Sequence, residues 1–447
     1  MLAKRGVGRR RQSRKFLEIE KPDIVIEGET EQALNLLENT NKNIFLTGRA
    51  GTGKSTLLKY FHATNKKNIV VLAPTGVAAV NVQGQTVHSF FKFLPSITED
   101  QVKKKYGDKS NTFRNLDAVV IDEISMVRAD LLDCVEKFLR LNGPKPNTLF
   151  GGVQLIAIGD LYQLPPIVKN DERQIFEQHY RSPFFFDSKC FEKSDFTTLE
   201  LNNVYRQSDQ DFIEILDAIR VCATTDEHIA KINERVVIEE ENDEKDFHIS
   251  LVTTNAMASN INNAKLGQLT TKERTYQGIS EGEFHEGNTP TELQLVLKEG
   301  AQIMLLNNDP RGHWINGDLV QVLKMNNESI RVLFEDGSFD DISRYKWDEI
   351  RYVYDEEEKK IKSEIVGSFI QFPIRLAWAV TIHKGQGKTF ERAVVDFGSG
   401  TFTSGQAYVA LSRCKSLEGL LLKSPLEHRH IFIDPRIDEF MKGLKMG

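Results

Sequence analysis

A glycine-rich loop set between a strand and a helix constrains this 447-residue chain more than any other feature. The run "NIFLTG" (43–48) is short, apolar and rich in β-formers. Behind it stand "GRAGTGKST" (48–56) and the helical "STLLKYF". Residues 48–55 fit G-x-x-x-x-G-K-S/T in full, in the strand-then-helix context that the pattern requires. Its glycines let backbone N–H groups wrap β- and γ-phosphates, and the helix N-terminus adds a favourable dipole. Lys54 is expected to bridge those phosphates and Ser55 to ligate Mg²⁺.

Around that loop the chain reads as α/β. "NIVVLAP" (68–74), "LDAVVIDE" (116–123) and "GVQLIAIGD" (152–160) are further β-rich apolar runs, each closed by a Gly, Pro or Asp turn signal. Helical stretches lie between several of them, which is the pattern of a parallel sheet covered on both faces. Ligands of such sheets sit at the carboxyl ends of the strands. The pattern returns in "LVTTNAMASNINNAKL" (251–266), "RLAWAVTIHKGQGKTF" (375–390), "RAVVDFG" (392–398) and "GQAYVALSRCKSLEGLLL" (405–422). Between these lies a different texture. Residues 316–342 alternate apolar and polar with Asn-Asn and Asp-Gly turns, as antiparallel hairpins do. We expect residues 307–369 to be a small barrel-like insertion, with 355–364 an exposed hairpin tip.

Asp122 and Glu123 close an apolar strand about 70 residues after the loop. Asp122 is expected to hold Mg²⁺ and Glu123 to polarise the attacking water. A nucleotide hydrolase follows. The guanine-reading N-K-x-D is absent, as is the Gly-rich signature of transporter ATPases. "IGDLYQLPPI" (158–167) offers Gln163 as a γ-phosphate sensor, then a stiff turn, Leu164–Pro165–Pro166, suited to an apolar shelf. "VYRQ" (204–207) and "YVALSRC" (408–414) offer Arg206 and Arg413, which together suggest arginine fingers. "TIHKGQGKTF" (381–390) suits a close approach to a phosphodiester. So does "APTGVAAVNVQGQTVHSFF" (73–91), with Thr75, Gly76, His88 and Ser89 as small donors. Phe90 and Phe91 are either stacking faces or core.

As an ordered set these motifs resemble superfamily 1B helicases, in particular the PIF-one family of 5′-to-3′ DNA helicases related to RecD. The resemblance runs from about residue 28 to 435, and "RQSDQDFIEILDAIR" (206–220) is similar to that family's signature segment. It implies two RecA-like parallel-sheet P-loop domains with an SH3-like barrel inserted in the second. The divisions expected are a basic, flexible arm (1–27), domain 1A (28–200) with a small wedge at about 88–112, domain 2A (201–306 and 370–447) and domain 2B (307–369). It implies that Gln32 reads adenine and that Gly48, Gly51, Thr52, Gly53, Lys54, Ser55 and Thr56 bind phosphates and Mg²⁺. Asp122 and Glu123 would be the catalytic carboxylates. Gln163, Arg206, Gln386, Gly387 and Arg413 would meet the γ-phosphate. Thr75, Gly76, His88, Ser89, Leu164, Pro165, Thr381, His383 and Lys384 would contact DNA. The cofactors implied are ATP and Mg²⁺. The partners implied are single-stranded DNA and forked or tailed duplexes, with G-quadruplex DNA a further candidate, and the chain would work as a monomer.

Charge qualifies the partner reading. Residues 1–17 carry seven cations and no acid, which leaves −13 on the rest of a chain of net charge −6. Nucleic acid must therefore meet a local basic groove, not a global field. The basic start reads as a solvated tail, a phosphate-binding arm or a targeting segment. No apolar run reaches the 18 or so residues of a membrane span and no signal-peptide core is visible, so a cytoplasmic, nucleoid-associated protein is expected, or a nuclear or mitochondrial one if the source is eukaryotic. Four scattered cysteines lack C-x-x-C spacing and read as reduced thiols. A RecD-like subunit of a nuclease complex, a DNA-stimulated ATPase that remodels protein–DNA complexes, and a small-molecule kinase are the competing readings.

Overall fold

The computed structural model describes residues 15–168, 170–207, 209–237, 247–284 and 289–445. Its first half is a six-stranded, wholly parallel sheet. The strands are β1 (Asn43–Gly48), β2 (Ile69–Ala73), β3 (Gln85–Thr86), β4 (Ala118–Ile121), β5 (Gln154–Ile158) and β6 (Phe196–Leu201), in the order β3-β2-β4-β5-β1-β6. The central strands are buried along their whole length, which is why they read as continuous apolar runs rather than alternating ones. Helices Glu29–Asn39 and Lys54–Thr64 cover one face through Leu34, Leu37, Leu58 and Phe61. An aromatic-rich cluster covers the other.

The second half repeats the plan with four parallel strands. After β7 (Ile249–Val252) come β8 (Arg274–Gln277), β9 (Ile279–Gly282), β10 (Gln294–Leu297), β11 (Gln302–Leu305), β12 (Leu319–Met325), β13 (Ser329–Leu333), β14 (Phe339–Ser343), β15 (Tyr345–Asp355), β16 (Lys360–Gln371) and β17 (Ile374–Leu376). Then β18 (Ala379–Thr381), β19 (Ala393–Asp396) and β20 (Leu420–Leu422) complete the parallel sheet, in the order β18-β7-β19-β20. Everything from β8 to β17 is antiparallel: a five-stranded sheet β14-β13-β12-β11-β17, a pair β10-β8, and the long hairpin β15–β16 with β9 on its edge.

Four expectations change in detail. The antiparallel insertion spans 274–376, wider than 307–369, because β8–β11 share its core through Tyr276, Leu295 and Ile303. The hairpin tip is tethered to the first half. Asn68 donates to the Lys359 carbonyl at 3.3 Å and accepts from the Ile361 N–H at 3.0 Å, and Asn111 donates to Glu356 at 2.8 Å. Deeper in, Ile350 and Tyr352 join the first half's core, and the Tyr352 hydroxyl accepts from the Val71 N–H at 3.1 Å. Burying each such side chain is worth roughly 1.5–3 kcal/mol. The expected free arm of 1–27 is docked where it is described: Leu17 N–H donates to the Ser363 carbonyl and Ile365 N–H to that of Lys15, along the β16 edge; residues 1–14 lie outside the described residues. Finally, the helix Pro435–Lys445 packs through Ile437 and Met441 on the first half, not the second. Around the expected wedge at 88–112, short helical turns bury Phe90, Phe91 and Phe113, so the two phenylalanines are core.

Candidate active site

The loop after β1 has the backbone that phosphate binding needs. Gly51 and Gly53 adopt φ of 83° and 79°, the left-handed region that favours glycine. A Cβ on Gly51 would also fall 2.6 Å from that of Arg206. The Lys54 ammonium donates to the Gly48 and Arg49 carbonyls at 2.7 Å each. Burial pulls this lysine below its usual range, while Asp160 and Glu123 oppose the shift. Thr52 is buried and donates to the Arg49 carbonyl at 3.0 Å. Ser55 and Thr56 stand exposed on the first turn of the following helix.

β4 delivers the carboxylates to the same place. Asp122 is buried, and burial together with Glu123 pushes its carboxyl up to about 7. Glu123 holds φ of 51°, a conformation that costs a non-glycine residue on the order of 1 kcal/mol and clusters at functional sites. Its carboxyl is also raised, by burial first, with Lys54 and Arg413 opposing. The buried Asp122 and half-buried Glu123 carboxyls, with the exposed Ser55 on the helix after the loop, are oxygen donors of the kind a hard divalent cation takes.

The second half closes over these groups. Gln386 donates to Glu123 at 3.1 Å and to the Gln163 amide oxygen at 3.3 Å. Gly387, with φ of 77°, follows it. Arg206 donates to the Ser412 carbonyl at 3.3 Å. Arg413 is 1% exposed and donates to the Val409 carbonyl and the Ser412 hydroxyl at 2.8 Å each. Burial, with Arg206 adding repulsion, pushes it down to about 9. Neither guanidinium has a carboxylate within ion-pair distance among the described residues. Two desolvated cations that no carboxylate among the described residues ion-pairs, with Glu123 the nearest favourable charge, make a place for an anion beside the P-loop.

Sequence reasoning missed several cross-cleft contacts. The Ala50 N–H donates to the Tyr408 hydroxyl at 2.8 Å, and Arg49 pairs with Asp217 at 2.5 Å. Tyr205 N–H donates to the Gly51 carbonyl at 2.8 Å, and the Tyr205 ring flanks Gly53 with 71% of the residue exposed. The only signal for these was proximity to a motif: Tyr408 stands in the run that offered Arg413, and Tyr205 beside Arg206. Gln32 is exposed on a helix whose first residue, Glu29, accepts from Asn202 at 2.8 Å.

The DNA-facing set divides. Thr75 is exposed and caps the helix Gly76–Asn81. His88 and Ser89 are half-buried, as are Pro165 and His383, and Lys384 is exposed. Burial lowers both histidines and Lys384. Gly76 and Ser89 line a cleft of about 40 Å³ with Phe284 and Trp347 of the insertion. Two residues do not fit a contact role. Leu164 is fully buried in the second half's core, so it packs the two halves together instead of forming a shelf. Thr381 is 4% exposed, and its hydroxyl is spent accepting the Lys384 N–H at 3.2 Å.

Comparison with known proteins agrees with this geometry. Residues 27–229 match the family model described as PIF1-like helicase. The ATP-dependent DNA helicase Pif1 of Bdellovibrio bacteriovorus is 33% identical over 430 residues, 94% of this chain and 92% of that one. The Homo sapiens PIF1 is also 33% identical, over 91% of this chain, but the match spans only 62% of the human protein. Bacteroides Pif1 in complex with ADP–AlF4 superposes with a TM-score of 0.88 at 35% identity, covering 95% of this chain and 98% of that one. The same protein bound to single-stranded DNA gives 0.69 at equal coverage. The chain has the two parallel-sheet halves of these helicases, and it belongs to the PIF1-like helicase family.

Proposed function

We propose that this chain is an ATP-dependent DNA helicase that moves 5′ to 3′ along single-stranded DNA. One observation carries the reading: Gln386 of the second half bonds both Glu123 and Gln163 of the first. A catalytic carboxylate bonded across a cleft makes hydrolysis depend on cleft closure. Closure then gives ATP differential affinity for one arrangement of the halves, which coupling requires.

In this reading the P-loop amides and Lys54 hold the phosphates. Arg206 and Arg413 neutralise charge that develops at the γ-phosphate. Glu123, oriented by Gln386, takes the proton of the attacking water. Mg²⁺, when bound, would be held by Ser55 and Asp122 and would supply charge neutralisation at the phosphates. The exposed Tyr205 ring is a platform for the base, with Gln32 a second candidate. Thr75, Gly76, His88, Ser89, Pro165, His383 and Lys384 contact the strand from the carboxyl edges of both sheets. Phosphate contacts dominate such binding, so affinity falls steeply with salt and sequence preference is low. Work on forked, tailed or G-quadruplex DNA by a monomer rests on the family resemblance.

The test is unwinding of 5′-tailed against 3′-tailed duplexes, with ATPase measured with and without single-stranded DNA. Displacement confined to the 5′ tail and a DNA-stimulated ATPase are expected. Stimulated turnover without displacement on either duplex would leave a remodelling ATPase instead.

A further inference from the structure

Asp160 and Arg220 form the least exposed ion pair among the described residues, with side chains 0% and 7% exposed. The pair joins the two halves. Asp160 lies two residues past β5. Arg220 ends the helix Gln210–Arg220, whose Phe212, Ile215 and Ile219 are buried in the second half's core. Arg220 gives Asp160 Oδ1 two hydrogen bonds, from Nη2 at 3.0 Å and Nε at 3.3 Å, and its guanidinium lies 4.4 Å from the Tyr162 ring centroid. The other carboxylate oxygen, Oδ2, accepts from the Gln163 amide nitrogen at 3.3 Å.

That last bond decides which way Gln163 faces. A side-chain amide has a donating and an accepting end. With its NH₂ committed to Asp160, Gln163 must present oxygen to Gln386, and it accepts from that amide at 3.3 Å. Gln386 in turn donates to Glu123. We infer that Asp160 and Arg220 are a positioning pair for hydrolysis: they fix the Gln163 amide and tie its orientation to the seat of the helix 210–220 in the second half. Both act through Gln163. The inference rests on the reading of Glu123, Gln163 and Gln386 as the hydrolytic site.

Asp160→Asn tests this, and because Asp160 also acts electrostatically on Lys54, the Gln163→Ala background separates the two routes. Arg220 requires an oxygen, so the new amide turns its NH₂ toward Gln163. Gln163 must then flip and set its own NH₂ against that of Gln386. Steady-state ATPase with single-stranded DNA is expected to show kcat reduced at least tenfold. KM for ATP and DNA affinity are expected to stay within about threefold of the parent, while Tm falls, because a buried guanidinium loses its partner charge. In a Gln163→Ala background, Asp160→Asn should cost less than a further twofold, because the amide it misorients is gone. Arg220→Lys, which keeps the charge but loses the fork, should fall between parent and Asp160→Asn, and it serves if Asp160→Asn folds poorly. Equal losses from Asp160→Asn with and without Gln163 would overturn the proposal, as would an unchanged kcat. Failure of the underlying site reading looks different: Glu123→Gln would retain turnover.

Discussion

The two parallel sheets share a plan and divide the chemistry unequally. In the first, β1 runs into a loop with two left-handed glycines and an 11-residue helix, so backbone amides converge at the strand's carboxyl end. In the second, β7 runs into Thr254, whose hydroxyl caps the helix Asn255–Gln268, and β18 into Thr381, which caps a four-residue helix. Both of those helix starts are closed by a threonine side chain, and neither strand is followed by a loop like 48–55. What the second sheet supplies is side chains: Gln386, Arg413 and Tyr408. A backbone site can hold phosphates by itself, whereas side chains from the other half act only when the halves meet. In the proposed reading, one half binds and the other licenses.

The comparison breaks hardest at Lys54. Lys54→Ala removes the one ammonium held in the loop, and ATPase should fall more than about 100-fold. Binding of single-stranded DNA, measured by fluorescence anisotropy, should persist. Retained turnover would show that the first half does not carry the phosphate site. Arg413→Ala comes next. Hydrolysis should slow at least tenfold with ATP affinity near that of the parent, because Arg413 belongs to the licensing half. If DNA binding alone weakened, that division would be wrong. Arg413→Lys with a Tm measurement controls for the loss of a fully buried side chain.

How much of this was legible follows the range of each signal. The P-loop, Asp122–Glu123 and the two-sheet plan were readable because each is a local pattern: a strand, a turn, a few residues of fixed chemistry. Contacts between halves were not. Arg49 meets Asp217 across 168 residues, Ala50 meets Tyr408 across 358, and Asp160 meets Arg220 across 60. No window of sequence contains both members of such a pair. Leu164 shows the same limit in apolar form, since a leucine after a polar motif looks alike on a DNA shelf and in an interface core. The strand β6 was missed because its residues are half-buried at the sheet's edge, where the continuous apolar signature fades. The final helix was assigned to the nearer half in sequence, while Phe440 stacks on Phe186 of the other at 4.2 Å.

The cross-cleft clasps test the same division more finely. Tyr408→Phe deletes the acceptor for the Ala50 N–H. A buried donor left unpaired costs about 1–3 kcal/mol, and because it unpairs the halves, kcat/KM for ATP should drop by roughly three- to tenfold while Tm changes little. Arg49→Ala removes an ion pair whose side chains are 33% and 32% exposed. Such pairs contribute about 0.2–1 kcal/mol, so the loss should be about fivefold at most and should vanish in high salt. A larger effect from Arg49 than from Tyr408 would mean that charge, not the buried hydrogen bond, holds the loop to the second half.

The smallest effect separates the halves by acid. His62 lies on the helix that follows the P-loop, with its Nδ1 buried and unpartnered. Burial lowers its pKa to about 4 from 6.5. The unfolded chain therefore takes up a proton before the folded one does, and the stability owed to neutral His62 is intact above pH 6.5 and lost as pH falls toward 4. His62→Leu should flatten that window, recovering roughly 2–5 °C of Tm at pH 5 and little at pH 7.5. The three tryptophans, Trp314, Trp347 and Trp378, all lie outside the first sheet. Trp347 faces the first half across the cleft with Gly76 and Ser89, so in a Trp347→Phe background, where Trp314 and Trp378 report, mild acid should reduce far-UV circular dichroism before tryptophan emission shifts, and His62→Leu should bring the two transitions together. Coincident transitions in that background without His62→Leu would mean that the licensing half does not outlast the binding half.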